Sequence, residues 1–494
     1  MSTSAAINVS DLPAPSLESL QSKPGSKQRW SRNVAADIVG LLDIVAVEFG
    51  AILPAWIYAT YGGVKVDWLL IVQSALAAAI IVNLCLRSWS MYDTAKMHDF
   101  PTNPGRLFGA LSIGLIAVVG LGLPHVLKNA HLWVWYASWM SASYTLILLN
   151  RWISNLLLAK LVAKGRFDQR IAVFGAGAIA RRVHDYLSNP ALGIRFVGVY
   201  DDRMGQDRIN PEGLTVAGKL AELQAAARND EIDQIVIALP QGADQRIAAV
   251  TATLEQLPVS VHIVTHIASD LVERETQHRV SSIGPVGLMD VKKKPLADWA
   301  PTLKRIEDYA IGSLLLILAL PLFPLIALAI KLESKGPVFF VQRRRGLNQR
   351  VMQIYKFRTM TVTEDGSDVR QVSKDDPRVT TVGRILRRTS MDELPQLLNV
   401  LKGEMSLVGP RPHALVHDEQ YGEMLEQYAS RHQVKPGITG LAQVRGFRGE
   451  TPSSDKMRAR VSNDIEYIND WSLALDLKIL VKTFWVVLTG KNAY

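Results

Sequence analysis

The sequence predicts a multi-pass membrane protein in three parts. A four-helix transmembrane bundle leads into a Rossmann-like α/β cytoplasmic domain. An α-rich, monotopic domain follows and enters the bilayer through a re-entrant helix-break-helix. Three observations carry this expectation. Four long apolar stretches are separated by loops of alternating basic charge. A strand, a glycine turn and a helix open an α/β run. A fifth apolar run holds two central prolines and has basic residues on both flanks.

Composition sets the outer bounds. The chain has 494 residues, 48% of them hydrophobic, and a mean hydropathy of +0.11. Lys and Arg number 55 against 46 Asp and Glu, a net charge of +9. Such an excess suits nucleic acid, anionic lipid or a phosphorylated substrate, and the placement of the basic residues decides among them. They gather beside apolar runs and in compact turns, so the expected partners are lipid and phosphate, with no nucleic acid. The only cysteine, Cys85, lies in an apolar run, which excludes disulfides and thiolate metal sites within the chain. Residues 1–32 are polar, lack the apolar core of a signal peptide, and are expected to form a flexible cytoplasmic tail.

The bundle is expected over residues 33–165. Its apolar stretches are Val34–Tyr61, Val66–Trp89, Arg106–Leu127 and His131–Leu158. Each exceeds the roughly 20 residues that a helix needs to cross the hydrocarbon core. Lys23, Lys27, Arg29 and Arg32 precede the first stretch, and Arg87, Lys96 and Arg106 lie between the second and third. Arg151, Lys160, Lys164, Arg166 and Arg170 close the fourth, while the other two loops hold little beyond Lys65 and Lys128. The positive-inside rule then places both ends of the bundle in the cytoplasm.

Residues 168–290 change character. "RIAVFGAGAIA" reads as a buried strand, a glycine turn and a helix start, and "FVGVYDD", "QIVIALP" and "VSVHIV" read as further strands. Alternation of this kind predicts a small doubly wound sheet. "GAGAIA" satisfies G-x-G-x-x-A, and an acid pair ends a strand about 25 residues later. Gly175, Gly177 and Asp201 are therefore the candidate nucleotide-binding set. A folding, regulatory or dimerising role is the other reading of this domain.

The fifth run, Ala310–Ile330, is long enough to span. Pro321 and Pro324 near its middle each remove a helix hydrogen bond. Lys292–Lys294, Lys304 and Arg305 precede it, and Lys331, Lys335 and Arg343–Arg345 follow. A bent hairpin over residues 304–332 keeps both basic flanks inside. The alternative is a kinked fifth span, which would carry everything after it outside. "DIEYINDWSLALDLKILVKTFWVVL" near the C-terminus has the composition of amphipathic helices lying on a membrane surface.

Residues 300–494 hold the chemistry. In "TVGRILRRTS", Arg384, Arg387 and Arg388 share one helix face. Lys356 and Arg358 lie in "YKFRTM", and Arg411 lies in "GPRP". Arg forks suit phosphate oxygens, while contact with anionic lipid is an equal reading of Arg384 and Arg388. Asp392 and Glu393 follow directly. Ser390-x-x-Glu393 matches a capping box, which by itself explains the acids as a helix start. Pro395 opposes that register, because it would be the fifth helical residue and would lack a needed N–H. A start near Asp392 puts both carboxylates at a helix N-terminus, where the dipole favours the ionised form. An ionised Asp beside arginines is a candidate nucleophile for phosphorus. Leu394, Leu397, Leu398 and Leu401 predict the amphipathic face of the helix that follows, and Gly403 its end.

"KRIEDYAIGSLLLILALP", "GPVFFVQRR", "IYKFRTM", "DDPRVTTVGRILRRTSMDELPQLLNVLKGEMSLVGPRP", "KPGITGLAQVRG" and "DIEYINDWSLALDLKIL" occur in this order. Together they resemble the bacterial sugar transferase family, the monotopic phosphoglycosyl transferases. The full layout resembles the polyprenyl-phosphate hexose-1-phosphate transferases, especially the undecaprenyl-phosphate glucose phosphotransferases of exopolysaccharide assembly. The resemblance implies transfer of a sugar 1-phosphate from a UDP-sugar to undecaprenyl phosphate, with release of UMP. It implies that Asp392 attacks the β-phosphate and forms a covalent phosphosugar intermediate, and that Glu393 binds Mg²⁺ or assists the acceptor. Arg387 matches the family arginine five residues before the Asp, and Arg411 is implied to bind phosphate. The hairpin proline corresponds best to Pro321, with Pro324 as a rival. Asp464 and Asp476 match acids of the final helices and rank second. A homodimer is a further expectation. The competing reading is a membrane-anchored nucleotide-sugar-modifying enzyme working through residues 168–290. Such an enzyme would usually use a Tyr-x-x-x-Lys pair, and no Tyr of that stretch has Lys four residues later.

Overall fold

The computed structural model describes residues 31–63, 65–92, 103–126, 130–187, 194–203, 214–240, 242–265, 280–283, 286–361, 376–425, 427–447 and 454–489. The expected tail, apart from residues 31 and 32, lies outside them. These residues fall into two compact units: Lys27–Ile171 with Arg182–Val197, and Ala172–Arg181 with Gly198–Tyr494.

The first unit holds four helices: α1 (Arg32–Tyr61), α2 (Trp68–Ser88), α3 (Pro104–Val126) and α4 (Ala130–Ala163). Three of them, α1, α2 and α4, are long and apolar enough to cross a bilayer. Asp67 starts α2 by accepting hydrogen bonds from the Leu69 and Leu70 N–H groups. α1 packs on α2 and α4, and α3 packs on the same pair. Small residues set this close approach. A Cβ on Gly50 would fall 2.3 Å from Ser143 Oγ, and Ala51 and Ala75 are wholly buried. Leu41, Val45, Phe49, Leu69 and Leu70 stay exposed, so the helices are apolar outside as well as inside. One polar cluster interrupts the interior. Arg151 of α4 donates to Asp43 of α1 at 2.7 Å, and both are almost fully buried. Tyr92 and Asn150 also donate to Asp43, at 2.8 and 2.6 Å.

The α/β region comprises β1 (Gln169–Phe174), α5 (Ala178–Leu187), β2 (Ile194–Tyr200), β3 (Val216–Gly218), α6 (Leu220–Arg228), β4 (Gln234–Ile237), α7 (Asp244–Leu254), β5 (Ser260–Thr265), β6 (Val280–Ile283) and β7 (Val286–Lys292). The sheet order is β3-β2-β1-β4-β5-β7-β6. The order reverses between β1 and β4, the switch point of a doubly wound sheet. β5–β7 and β7–β6 are antiparallel, which adds a hairpin edge. Ala172–Phe174 and Ile235–Ile237 are buried throughout, as suits strands covered on both faces. Lys292, at the end of β7, donates to the carbonyls of Glu255 and Leu257 after α7 and, at 2.9 Å, to Gln433 Oε1. Gln433 Nε2 returns a bond of 2.9 Å to the Glu255 carbonyl, so this sheet is latched to the C-terminal domain. Burial pulls the Lys292 ammonium down to about 8.

The C-terminal domain begins with α8 (Ala300–Ala319) and α9 (Leu322–Glu333), bent by 55°. The break falls at Leu320–Pro321. Pro324 sits in the first turn of α9, where its missing N–H has no intrahelical partner to lose. Both ends of this helix pair are tied to the same globule. Lys304 donates to Asp476 Oδ2 at 2.6 Å, and Asp308 Oδ1 accepts from Ser406 Oγ and the Leu407 N–H. At the other end Glu333 accepts the Thr381 and Val382 N–H groups at 2.6 and 3.0 Å. Between these ties Leu314, Ile317, Leu318, Leu325 and Leu328 are exposed. The domain continues with β8 (Phe339–Arg345), β9 (Val351–Phe357), α10 (Thr381–Thr389), α11 (Gln396–Leu401), β10 (Ser406–Val408), α12 (Leu415–Met424), β11 (Gly437–Thr439), α13 (Leu441–Val444), α14 (Ser454–Asn469) and α15 (Leu473–Thr489). Its core joins Ile354, Leu397, Val400, Leu407, Val408 and Ile479.

The Arg151–Asp43 pair gives the first test. Arg151→Leu leaves a buried carboxylate without its cation and is expected to cost about 3–5 kcal/mol. Thermal denaturation in detergent should show the loss, and the double variant Asp43→Asn, Arg151→Leu should recover most of it.

Candidate active site

β8 and β9 pair antiparallel, with Phe340 opposite Lys356, Gln342 opposite Ile354 and Arg344 opposite Met352. Opposed residues share a face, so the alternation that buries Gln342 and Ile354 also turns Lys356 and Arg344 inward. α10 crosses beside this hairpin. Thr380 caps it by accepting the Gly383 N–H at 2.9 Å. Gly383 is required by contact, because a Cβ there would lie 2.1 Å from the Thr359 carbonyl. Arg387 then reaches Thr359 Oγ1 at 3.0 Å and Met360 Sδ at 3.3 Å.

Ser390 ends α10 in the left-handed region (φ 58°) and makes no side-chain capping bond. The capping box is not formed. Met391–Glu393 make a single 3-10 turn, and α11 starts after Pro395. That turn shifts the helix phase. The buried face of α11 is Gln396, Leu397, Asn399 and Val400, whereas Leu398 is 37% exposed. The leucine stripe expected from the sequence is corrected accordingly. Asn399 is buried for its side chain, which accepts the Tyr355 N–H at 3.2 Å and donates to the Gln353 carbonyl at 2.6 Å.

Both acids of the dyad are buried, Asp392 to 8% exposure and Glu393 to 7%. Lys356 donates to Glu393 Oε1 at 2.8 Å. Arg411 brackets the same carboxylate, Nη1 to Oε2 at 3.1 Å and Nη2 to Oε1. Burial opposes the charge on Glu393, but Arg411 and Lys356 outweigh it and hold the carboxyl well below its ordinary range. Asp392 differs. Among the described residues no hydrogen bond reaches its carboxylate, although Lys356, Arg387 and Arg411 act on it as nearby charges. Burial first, and the Glu393 charge second, push Asp392 up to about 6. The sequence pointed to a helix dipole keeping Asp392 ionised, and here burial outweighs any such effect.

Arg411 follows β10, whose parallel partner is β11. The two chains cross at glycines. A Cβ on Gly437 would lie 2.1 Å from the Gly409 nitrogen, and one on Gly409 would lie 2.5 Å from the Lys435 carbonyl. The spacing of "SLVGPRP" and "KPGITG" therefore encodes the close approach that delivers Arg411.

The structure brings Asp392, Glu393, Lys356, Arg387 and Arg411 together. Three other candidates are placed elsewhere. Arg358 was expected to bind substrate phosphate. Its guanidinium instead holds the end of α9, donating to the Ser334 and Lys335 carbonyls and to Ser334 Oγ at 2.8–2.9 Å. Asp464 binds Arg431 at 2.8 Å, and Asp476 accepts from Lys304, Tyr467 and Trp471. Arg344 was read only as part of a basic flank, yet it lies among Arg411, Glu393 and Lys356 and donates to the Pro412 carbonyl. Burial, then Arg411, lowers its guanidinium to about 10. Strand alternation within Arg343–Arg345 was the signal that singles it out.

The nucleotide set of the α/β region is also otherwise engaged. Gly175 has φ 109° and lies against the Ala238 carbonyl. Asp201 accepts the Ala176 N–H of the glycine turn at 2.9 Å through one oxygen and closes its own turn with the other, on the Arg203 N–H at 3.0 Å. The Ala176 N–H of the glycine turn is therefore already taken by a side chain of the protein itself.

Comparison with known proteins follows the same division. The bacterial sugar transferase family matches residues 299–490, and the CoA-binding domain family matches residues 87–265. The UDP-glucose:undecaprenyl-phosphate glucose-1-phosphate transferase of Escherichia coli (strain K12) is 40% identical over 333 residues, covering 67% of this chain and 70% of that protein. The chain belongs to the bacterial sugar transferase family. A transferase of the same name from Xanthomonas campestris pv. campestris is 37% identical over 368 residues, covering 73% of this chain and 75% of its own. The one from Caulobacter vibrioides is 56% identical over 191 residues, 39% of this chain and 72% of its own. Among the described residues of this family member, no group of three or more His, Cys, Asp or Glu is arranged to hold a metal ion.

Two substitutions separate site from scaffold. Gly383→Ala is expected to force α10 off Thr359 and lower the melting temperature together with activity. Arg358→Lys is expected to lower the melting temperature while leaving KM for the sugar nucleotide within about twofold, because its contacts are to backbone carbonyls. A large KM change in Arg358→Lys would return that residue to the phosphate site.

Proposed function

We propose that this sugar transferase moves glucose 1-phosphate from UDP-glucose to undecaprenyl phosphate, releasing UMP, as the first membrane step of exopolysaccharide or capsule synthesis. The observation that carries the reading is the buried acid pair. One carboxylate is bound by two cations, and the other faces three cations while no hydrogen bond reaches it among the described residues. The names of the relatives supply the sugar and the acceptor.

The chemistry follows from the placement. Lys356, Arg411 and Arg387 offer positive charge to a diphosphate beside Asp392. An Asp392 oxygen attacks the β-phosphorus, the bond from that phosphorus to the bridging oxygen breaks, and UMP leaves with the bonding pair. The glucose phosphate is then an acyl phosphate on Asp392. An oxygen of undecaprenyl phosphate attacks the same phosphorus and restores the carboxylate. One site thus serves two substrates in turn, with ping-pong kinetics. Glu393 is the residue that would hold Mg²⁺. Lys356 and Arg411 bind the same carboxylate, so the metal would compete with them for it. Its contribution would be to neutralise diphosphate charge.

The same proposal places α1–α4 across the bacterial inner membrane, with the α/β and catalytic domains in the cytoplasm. It sets α8–α9 as a re-entrant hairpin, supported by the ties from both its ends to one globule. In α15, Leu477, Val481, Phe484 and Trp485 form an exposed apolar stripe suited to the membrane interface. A homodimer belongs to this reading as an expectation.

Purified enzyme with UDP-glucose and undecaprenyl phosphate should release UMP, and Asp392→Asn should reduce release by at least about 10³-fold. Retained activity in Asp392→Asn would refute the nucleophile. The nucleophile must be ionised, so kcat/KM should fall as pH drops through about 6, tenfold per unit below it. Chelation should abolish release and Mg²⁺ restore it, with Glu393→Gln needing more Mg²⁺.

A further inference from the structure

Arg411 reaches Glu393 from a short loop, and something must fix the direction from which its side chain leaves. The loop's own backbone is held from behind. Arg431, in the 3-10 helix Tyr428–Gln433, donates through Nη2 to the Arg411 carbonyl at 2.7 Å and to Asp464 Oδ2 at 2.8 Å. Its Nη1 lies 2.7 Å from His413 Nδ1 and 3.1 Å from the Tyr428 hydroxyl. Arg431 and Asp464 are each 2% exposed. The next carbonyl, that of Pro412, accepts from Arg344. Consecutive carbonyls of the loop are therefore gripped by two different arginines.

We propose that Arg431, anchored on Asp464, is a positioning residue that aims Arg411 at the acid pair. This deepens the sugar-phosphate transfer reading and rests on it. A fully buried ion pair is a costly way to add stability. It is better suited to specifying one arrangement, and here its free direction points at the residue that binds Glu393. The planar fork is needed because Nη2 serves a carboxylate and a carbonyl while Nη1 serves His413 and Tyr428. A lysine ammonium cannot span both sides. The role assigned to Asp464 changes as a result. It acts two residues away from the chemistry, through Arg431 and then Arg411.

The test must read the position of Arg411 and not only folding. Arg411 holds Glu393, so a role exercised through Arg411 must vanish when Arg411 is absent. Full-length Arg431→Lys in detergent, assayed with UDP-glucose and undecaprenyl phosphate, is expected to lose about 10²-fold in kcat/KM per folded enzyme. In an Arg411→Ala background the same substitution is expected to cost less than about twofold, because the two residues act as a unit. Asp464→Asn keeps the shape and is expected to follow the same pattern with a smaller loss. A purely structural role would cost the same factor in both backgrounds. Folded Arg431→Lys whose loss is unchanged by Arg411→Ala overturns the proposal. So does loss of folding in both variants, which would make the pair a stability element. If Arg431→Lys alone fails to fold, the Asp464→Asn cycle decides. Failure of the wild-type enzyme to release UMP would instead sink the reaction itself.

Discussion

The neutralisation of Glu393 by Lys356 and Arg411 is the interaction on which the catalytic domain depends. Two adjacent carboxylates at 7–8% exposure repel each other and have little water to solvate them. Without the two cations, one or both would take up a proton. Lys356 arrives on β9, Arg411 on the loop after β10, and the acids on the turn between α10 and α11. These segments meet because the core behind them is continuous, through Ile354, Leu397, Val400, Leu407 and Val408. The consequence is a division of labour. Glu393 is bound by the two cations, and among the described residues no hydrogen bond reaches the Asp392 carboxylate, the condition a nucleophile needs.

Much of this was legible in the sequence, for identifiable reasons. Compact motifs carry their chemistry in local order, so Asp392, Glu393, Arg387, Lys356 and Arg411 could be named before any packing was known. Pro395 correctly argued against a capping box, because a proline's needs are local. Arg358 is two residues from Lys356, and only tertiary structure shows that β9 ends between them and that its guanidinium binds the end of α9. Arg344 was missed because three successive arginines look alike until pairing with β9 turns the middle one inward. The leucine stripe of α11 was displaced by a 3-10 turn that hydrophobic periodicity does not register. Asp464 pointed to the right neighbourhood, but its partner Arg431 lies 33 residues earlier, a distance that sequence spacing does not bridge.

The other domains obey different constraints. In α1–α4, small residues and one buried Arg–Asp cluster set helix approach, while apolar side chains cover both faces. In the α/β region, the glycine turn has the dinucleotide spacing, yet the Asp201 carboxylate already takes the Ala176 N–H. Spacing alone could not separate those cases. The latch of Lys292 and Gln433 joins that sheet to the same 3-10 helix that carries Arg431. The α8–α9 pair is fixed at both ends by charged residues and carries no charged side chain from Tyr309 to Ile330, a pattern that suits entry into and return from one face of a bilayer.

The central claim is that Asp392 becomes covalently bound to the sugar phosphate. Enzyme incubated with UDP-glucose in the absence of acceptor, quenched, digested and read by mass spectrometry tests it most directly. A hexose phosphate on Asp392, discharged when undecaprenyl phosphate is added, is the result expected. UMP release under these conditions with no adduct, or an adduct on a different residue, would contradict it.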